Sequence, residues 1–140
     1  MTRLPLACAA LLVTSLMLVE PAQAARRAPL YEPGQTQIVT LDGKTLGVDK
    51  VRSTLLLGAR QTGWMVVQES GTQLLLRFDK GQKHSATVKV SYDDKGYTLS
   101  YVDSYNLNYR VDEQGVQIHP AYNEWVNRLI RSIGATALRP

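Results

Sequence analysis

Two runs of strict period-two alternation joined by a tight turn restrict the fold of this chain more than any other feature. In residues 85–92, Ala86, Val88, Val90 and Tyr92 fall on one side of an extended strand, and Ser85, Thr87, Lys89 and Ser91 on the other. Side chains alternate across a strand, so such a run has one buried face and one wet face. Asp93-Asp94-Lys95-Gly96 is then expected to reverse the chain, with a glycine that can adopt the positive φ such loops need. Tyr97, Leu99 and Tyr101 return on one face with Thr98, Ser100 and Val102 on the other. Upstream, residues 64–69 and 73–79 are strand-length apolar runs split by Ser70-Gly71, a hairpin signal. A parallel neighbour requires a crossover of about a dozen residues or more, and none of these connections has room for one. The middle of the chain is expected to be an antiparallel meander.

The period continues at Tyr105, Leu107, Tyr109 and Val111, a turn follows at residues 112–115, and Val116 with Ile118 forms a last short apolar pair. A short strand around Ile38 is expected over residues 36–41. Two segments have helical spacing instead. Over residues 46–62, Val48, Val51, Leu55 and Ala59 recur every three or four positions, Leu56 and Leu57 widen the stripe, and Gly63 can end the helix in the left-handed conformation. After Pro120, suited to a first helical position, Tyr122, Trp125, Val126, Leu129, Ile130 and Ile133 form a longer stripe. Burying each such side chain gains about 1.5–3 kcal/mol, so both stripes must dock on apolar surface. The inward face of the meander is the surface available. The expected fold class is α+β, an antiparallel β-meander of four to six strands with two α-helices packed on one face.

The chain's 140 residues fit one domain, and its beginning reads as an address. Arg3 precedes an apolar run from Leu4 to Val19, and Ala22-Gln23-Ala24 places small residues before a cut after Ala24. That run is shorter than the roughly 20 residues a membrane-crossing helix needs. The expected organisation is a signal peptide at 1–24, a flexible Pro/Gly/Arg linker at 25–35, a single domain at 36–134 and a frayed tail at 135–140. Cleavage removes Cys8, the chain's one cysteine, and with it any disulfide or thiol chemistry. Pro5-Leu6-Ala7-Cys8 is a poor lipidation signal with too short a leader. The net charge of +4 is modest, and export to the periplasm or beyond separates it from nucleic acid. Envelope proteins, glycans and lipid headgroups remain as partners of what is expected to be a monomer without a transmembrane span.

Few residues carry chemical promise. His119, just before Pro120, is placed to cap the last helix. His84 begins a strand beside Lys83. A metal centre would have to unite both histidines with Asp103 or Glu124 without any helical His spacing, so neither metal nor cofactor is expected. Asp103, Ser104 and His119 supply the residue types of a hydrolytic triad, but no Gly-x-Ser-x-Gly elbow accompanies them, and adjacent strand residues face opposite ways. Asp103 follows an apolar strand and suits a bulge where its carboxylate caps backbone N–H groups. Tyr97, Tyr101, Tyr105 and Tyr109, four apart, share parity with Leu99 and Leu107 and are expected in the core; exposed, they would make an aromatic surface.

Several of these stretches occur in a recognisable order. Thr62-Gly63-Trp64 ends the first helix. His84-Ser85-Ala86-Thr87-Val88 opens a strand, Tyr101 to Tyr109 reads Tyr-Val-Asp-Ser-Tyr-Asn-Leu-Asn-Tyr, and Ile118-His119-Pro120-Ala121-Tyr122-Asn123-Glu124-Trp125 opens the last helix. Across residues 48–133 the chain resembles a family of small exported, mostly proteobacterial, lipoprotein-like proteins. The resemblance implies a shared architecture and an envelope location and brings no activity. Lacking a usable lipidated cysteine, this chain fits a soluble periplasmic or secreted form. The leading expectation is a non-enzymatic binding module of the envelope, with a polar and aromatic patch at Asp103, Tyr105, Asn106 and His119. The rival is a small envelope hydrolase using Asp103, Ser104 and His119.

Overall fold

The computed structural model describes residues 26–139; the expected signal peptide lies outside them. The fold is α+β, with two helices and two antiparallel sheets. A three-stranded sheet has the order β1-β8-β7, formed by Ala28–Pro29, Gly115–Ile118 and Arg110–Asp112. A five-stranded sheet has the order β2-β6-β5-β4-β3, formed by Thr36–Gln37, Gly96–Tyr105, His84–Tyr92, Gln73–Lys80 and Met65–Ser70. Helix α1 spans Val48–Gln61 and α2 spans Pro120–Ala137. No helix of the described residues is long and apolar enough to cross a membrane.

The expected meander forms as β3 to β6. Ala86, Val88, Val90 and Tyr92 of β5 are buried with Leu74 and Leu76 of β4 and Tyr97 and Leu99 of β6. Val51, Leu55 and Ala59 of α1 close over this face, together with Tyr122, Trp125, Val126, Leu129 and Ile133 of α2. Gly63 takes φ +82 where α1 ends, and the carboxylate of Asp93 accepts the N–H groups of Lys95 (2.8 Å) and Gly96 (2.9 Å) in the β5–β6 turn. On the inward side of β3, Glu69 forms an ion pair with Arg52 of α1.

Five expectations need correction. Gly96 does not take the positive φ expected of it in the β5–β6 turn; glycine is required there because a Cβ would strike the Thr36 carbonyl of the neighbouring strand β2. The strand near Ile38 is only two residues long; Ile38 itself is buried just beyond it. Residues 28–32 are not a flexible linker. β1 pairs with β8, Leu30 N–H donates to the Val116 carbonyl (2.9 Å), and the Asn123 side chain clasps the strand from both sides, accepting from Tyr31 N–H (3.0 Å) and donating to the Pro29 carbonyl (2.9 Å). Glu32 then accepts the N–H of Tyr101 at 2.9 Å. Proline and glycine composition suggested a tether because these partners lie between 69 and 94 residues away in sequence. The tail is also more ordered than expected: α2 runs to Ala137, where Ala137 packs on the core and Thr136 and Ser132 both donate to Gln61 of α1.

The last correction concerns the tyrosines. The register of β5 against β6 shifts so that Val88 faces Tyr101 while Thr87 faces Asp103, leaving Val102 as the extra residue of a bulge. One extra residue inverts parity for the rest of the strand. Tyr97 is buried and Tyr101 half-buried on the core side, but Tyr105 faces Ser85 on the opposite side and is 65% exposed. Beyond it Asn106 and Asn108 adopt φ +57 and +54, ending the strand and carrying β7 into the other sheet. Leu107 between them drops into the core, and Tyr109, partly exposed, stacks on Tyr101 with ring centroids 4.4 Å apart and planes within 1°.

Candidate functional site

The bulge also sorts the candidate residues. Asp103 and Tyr105 lie on the sheet face away from the helices, across from Thr87 and Ser85. Asp103 is exposed and its carboxylate has no hydrogen-bond partner among the described residues, so the expected capping role is not seen. Ser104, paired with Ala86, faces the core side, and its hydroxyl lies 2.8 Å from the Tyr101 phenol oxygen. Asp103 and Ser104 therefore point to opposite faces. His119 caps α2 as expected: its Nδ1 accepts the N–H of Ala121 at 3.0 Å, with Pro120 in the first turn. With Ser104 bonded to Tyr101 and His119 Nδ1 bonded to the helix, no hydrogen bond links the three members of the triad. No cluster of three or more His, Cys, Asp or Glu suited to a metal is found among the described residues.

His119 lines a cleft of about 550 Å³ at one end of the sheet, and Asn106 adjoins it next to Leu107 without lining it. Trp125 and Leu107 form its buried floor, His84 and His119 its half-buried sides, and Lys80 and Lys83 its exposed rim. Asp103 does not line it, and none of its lining residues is acidic. Three segments distant in sequence build it: the β4–β5 turn, the loop around Leu107, and the start of α2.

Each wall has a visible fastening. The Asn106 side chain donates to the Lys83 carbonyl at 3.0 Å, tying the Leu107 loop to the β4–β5 turn. His119 N–H donates to the Leu107 carbonyl at 2.7 Å, tying the same loop to the start of α2. Since Nδ1 of His119 is an acceptor, the neutral ring carries its proton on Nε2, and this nitrogen is left as a donor. Behind the floor, Trp125 packs on Phe78 (centroids 4.7 Å) and Phe78 on Trp64 (5.5 Å), anchoring the indole to the core.

The non-glycine residues with left-handed backbone among those described are Gln82, Asn106 and Asn108, and each adjoins a lining residue of this cleft. Gly81 and Gln82, both at φ 60, are the central residues of a turn that Lys83 N–H closes on the Lys80 carbonyl (3.2 Å), within the three-residue connection 81–83 between β4 and β5. Asparagine tolerates this region, whereas glutamine adopts it at a cost of about 1 kcal/mol. Strained residues persist where surrounding structure holds them, and they concentrate at functional sites.

Sequence reasoning found His119, and in Asn106 a residue that fastens the cleft's wall, but not Trp125, Leu107, Lys80 and Lys83 as neighbours. Trp125 and Leu107 read as ordinary core positions, and the lysines as a solvated turn. Neither a family model, nor a curated protein, nor a solved structure matches the chain.

Proposed function

We propose that this protein is an exported, non-enzymatic binding module of the bacterial envelope that holds its ligand in the cleft between His84 and His119. The observation that carries this reading is the convergence of three fastened segments on one concave site with an apolar floor and a few polar groups at its edge. Ligand sites are typically of this size and character. The bonding of Ser104 to Tyr101 supports binding over triad hydrolysis. The secretory pattern of residues 1–24 supports a periplasmic or secreted location, and the motif order supports kinship with the small exported proteobacterial proteins it resembles.

Native mass spectrometry of the protein prepared from the envelope fraction of exporting cells tests the proposal. The expected species begins at Ala25 and carries a small adduct that is lost on denaturation. Ala121→Phe, which plugs the cleft from its α2 wall, is expected to retain the fold by circular dichroism and lose the adduct. A native product that retains residues 1–24, the absence of any adduct, or equal adducts on plugged and open protein would refute the reading.

A further inference from the structure

We infer that the ligand of this cleft is an amphiphile with an anionic head and a compact apolar body; the inference rests on the cleft being the binding site. The apolar body is matched by Ala121 together with Trp125 and Leu107, the last two almost fully buried and reaching the cavity only at its floor. A ligand that was polar throughout would have to give up hydration against these side chains without recovering hydrogen bonds. The anionic half is the rim. Lys80 and Lys83 stand on either side of the Gly81-Gln82 turn, His119 retains an Nε2 donor, and His84 adds a second imidazole.

No acidic side chain among the lining residues offsets the two lysine charges. The nearest acid along β4, Asp79, is engaged by Arg77 at 2.9 Å. The two lysine ammonium groups are exposed and can reach over the opening, where charge-assisted hydrogen bonds to an anion are about twice as strong as neutral ones. The left-handed Gln82 holds both lysines on the same short turn, and Asn106 fixes that turn to the Leu107 loop, so head and body sites are built at a set separation. A cavity of about 550 Å³ lies within the range of small-molecule sites, which limits the apolar body to a short chain. A fatty carboxylate and an alkyl phosphate share this chemistry.

Titration of the isotope-labelled protein with decanoate, decyl phosphate, decanol and inorganic phosphate tests the assignment by NMR. The expected result is movement of the Trp125 indole and of the Leu107 and Ala121 amides with the two anionic amphiphiles, the tighter of the two identifying the head. Decanol should bind at least about tenfold more weakly, a gap that Lys80→Gln/Lys83→Gln, both at exposed positions, should close. Equal affinity for decanol and decanoate would overturn the anionic assignment while leaving the cleft as a binding site. Equal shifts with inorganic phosphate alone would overturn the amphiphile assignment. Silence of the cleft resonances with all four probes would overturn the inference; the proposed function would then stand or fall on the adduct and its loss in Ala121→Phe.

Discussion

Replacing Gly58 by alanine sets two effects of opposite sign against each other at the crossing of α1 and α2. In an open helix the change stabilises by about 1 kcal/mol, because glycine loses the most backbone entropy on folding. At position 58 the new Cβ would lie 2.7 Å from Ile133 Cγ1, 2.9 Å from Ile133 Cα and 3.0 Å from Ile133 N. Two of those three atoms are backbone, so a change of rotamer at Ile133 cannot relieve the contact; α2 as a whole must move. Overpacking costs about 1–3 kcal/mol, and backbone contact places this site in the upper half of that range. The net expectation is a loss of about 1–2 kcal/mol. Gly134, on α2 one residue after Ile133, is the internal control: nothing lies within 4 Å of a Cβ built there. Gly134→Ala should therefore stabilise by about 0.5–1 kcal/mol. The same substitution in neighbouring helices should split the pair by about 2 kcal/mol, or about 8 °C in Tm for a domain of this size. Thermal and urea unfolding followed by circular dichroism reads both signs. A Gly58→Ala protein with a Tm at or above that of the wild type would refute the reading that glycine sets the distance between the helices.

Three further outcomes follow from the same structure. His119→Ala should cost about 1 kcal/mol by removing the cap on Ala121 N–H, and His119→Asn should recover most of it; equal losses in urea unfolding would remove the capping role. Gln82→Gly should stabilise by about 0.5–1 kcal/mol by relieving the left-handed conformation, checked by Tm; a fall in Tm would show that the glutamine side chain contributes more than its backbone costs. Burial pushes the phenol of Tyr97 up to about 12, against a smaller lowering by the nearby Thr36 hydroxyl, and raises that of Tyr122 as well; among the described residues neither phenol is in good hydrogen-bonding geometry with a partner. An unfolded tyrosine ionises near 10, so above about pH 10 the unfolded chain sheds protons that the folded chain keeps, and stability falls as pH rises. Tyr97→Phe and Tyr122→Phe should flatten that fall between about pH 10 and pH 12 and be neutral to mildly stabilising at pH 7; urea midpoints that drop as steeply as in the wild type would count against burial as the cause.

The sequence by itself determined the local elements, because period and turn chemistry are written within a few residues of one another. The alternation from Ala86 to Tyr92, the Asp93-to-Gly96 turn, the stripes of α1 and α2, the Gly63 terminator and the His119-Pro120 start of α2 were all legible. The tertiary structure decided what no short window contains. The sequence around Asp103 suggests a bulge, but its place at Val102 exists only relative to the partner strand, and that place sends Asp103 and Tyr105 to one face of the sheet and leaves Tyr101 and Ser104 on the other. Residues 28–32 look like a tether until Val116, Asn123 and Tyr101 are brought to them. Lys83, Leu107 and His119 form one site only after three chain reversals, fastened by an asparagine side chain and a backbone hydrogen bond. Steric and hydrogen-bonding preferences of single residues act over one turn or one pleat, whereas a cleft is made by segments that only packing brings together.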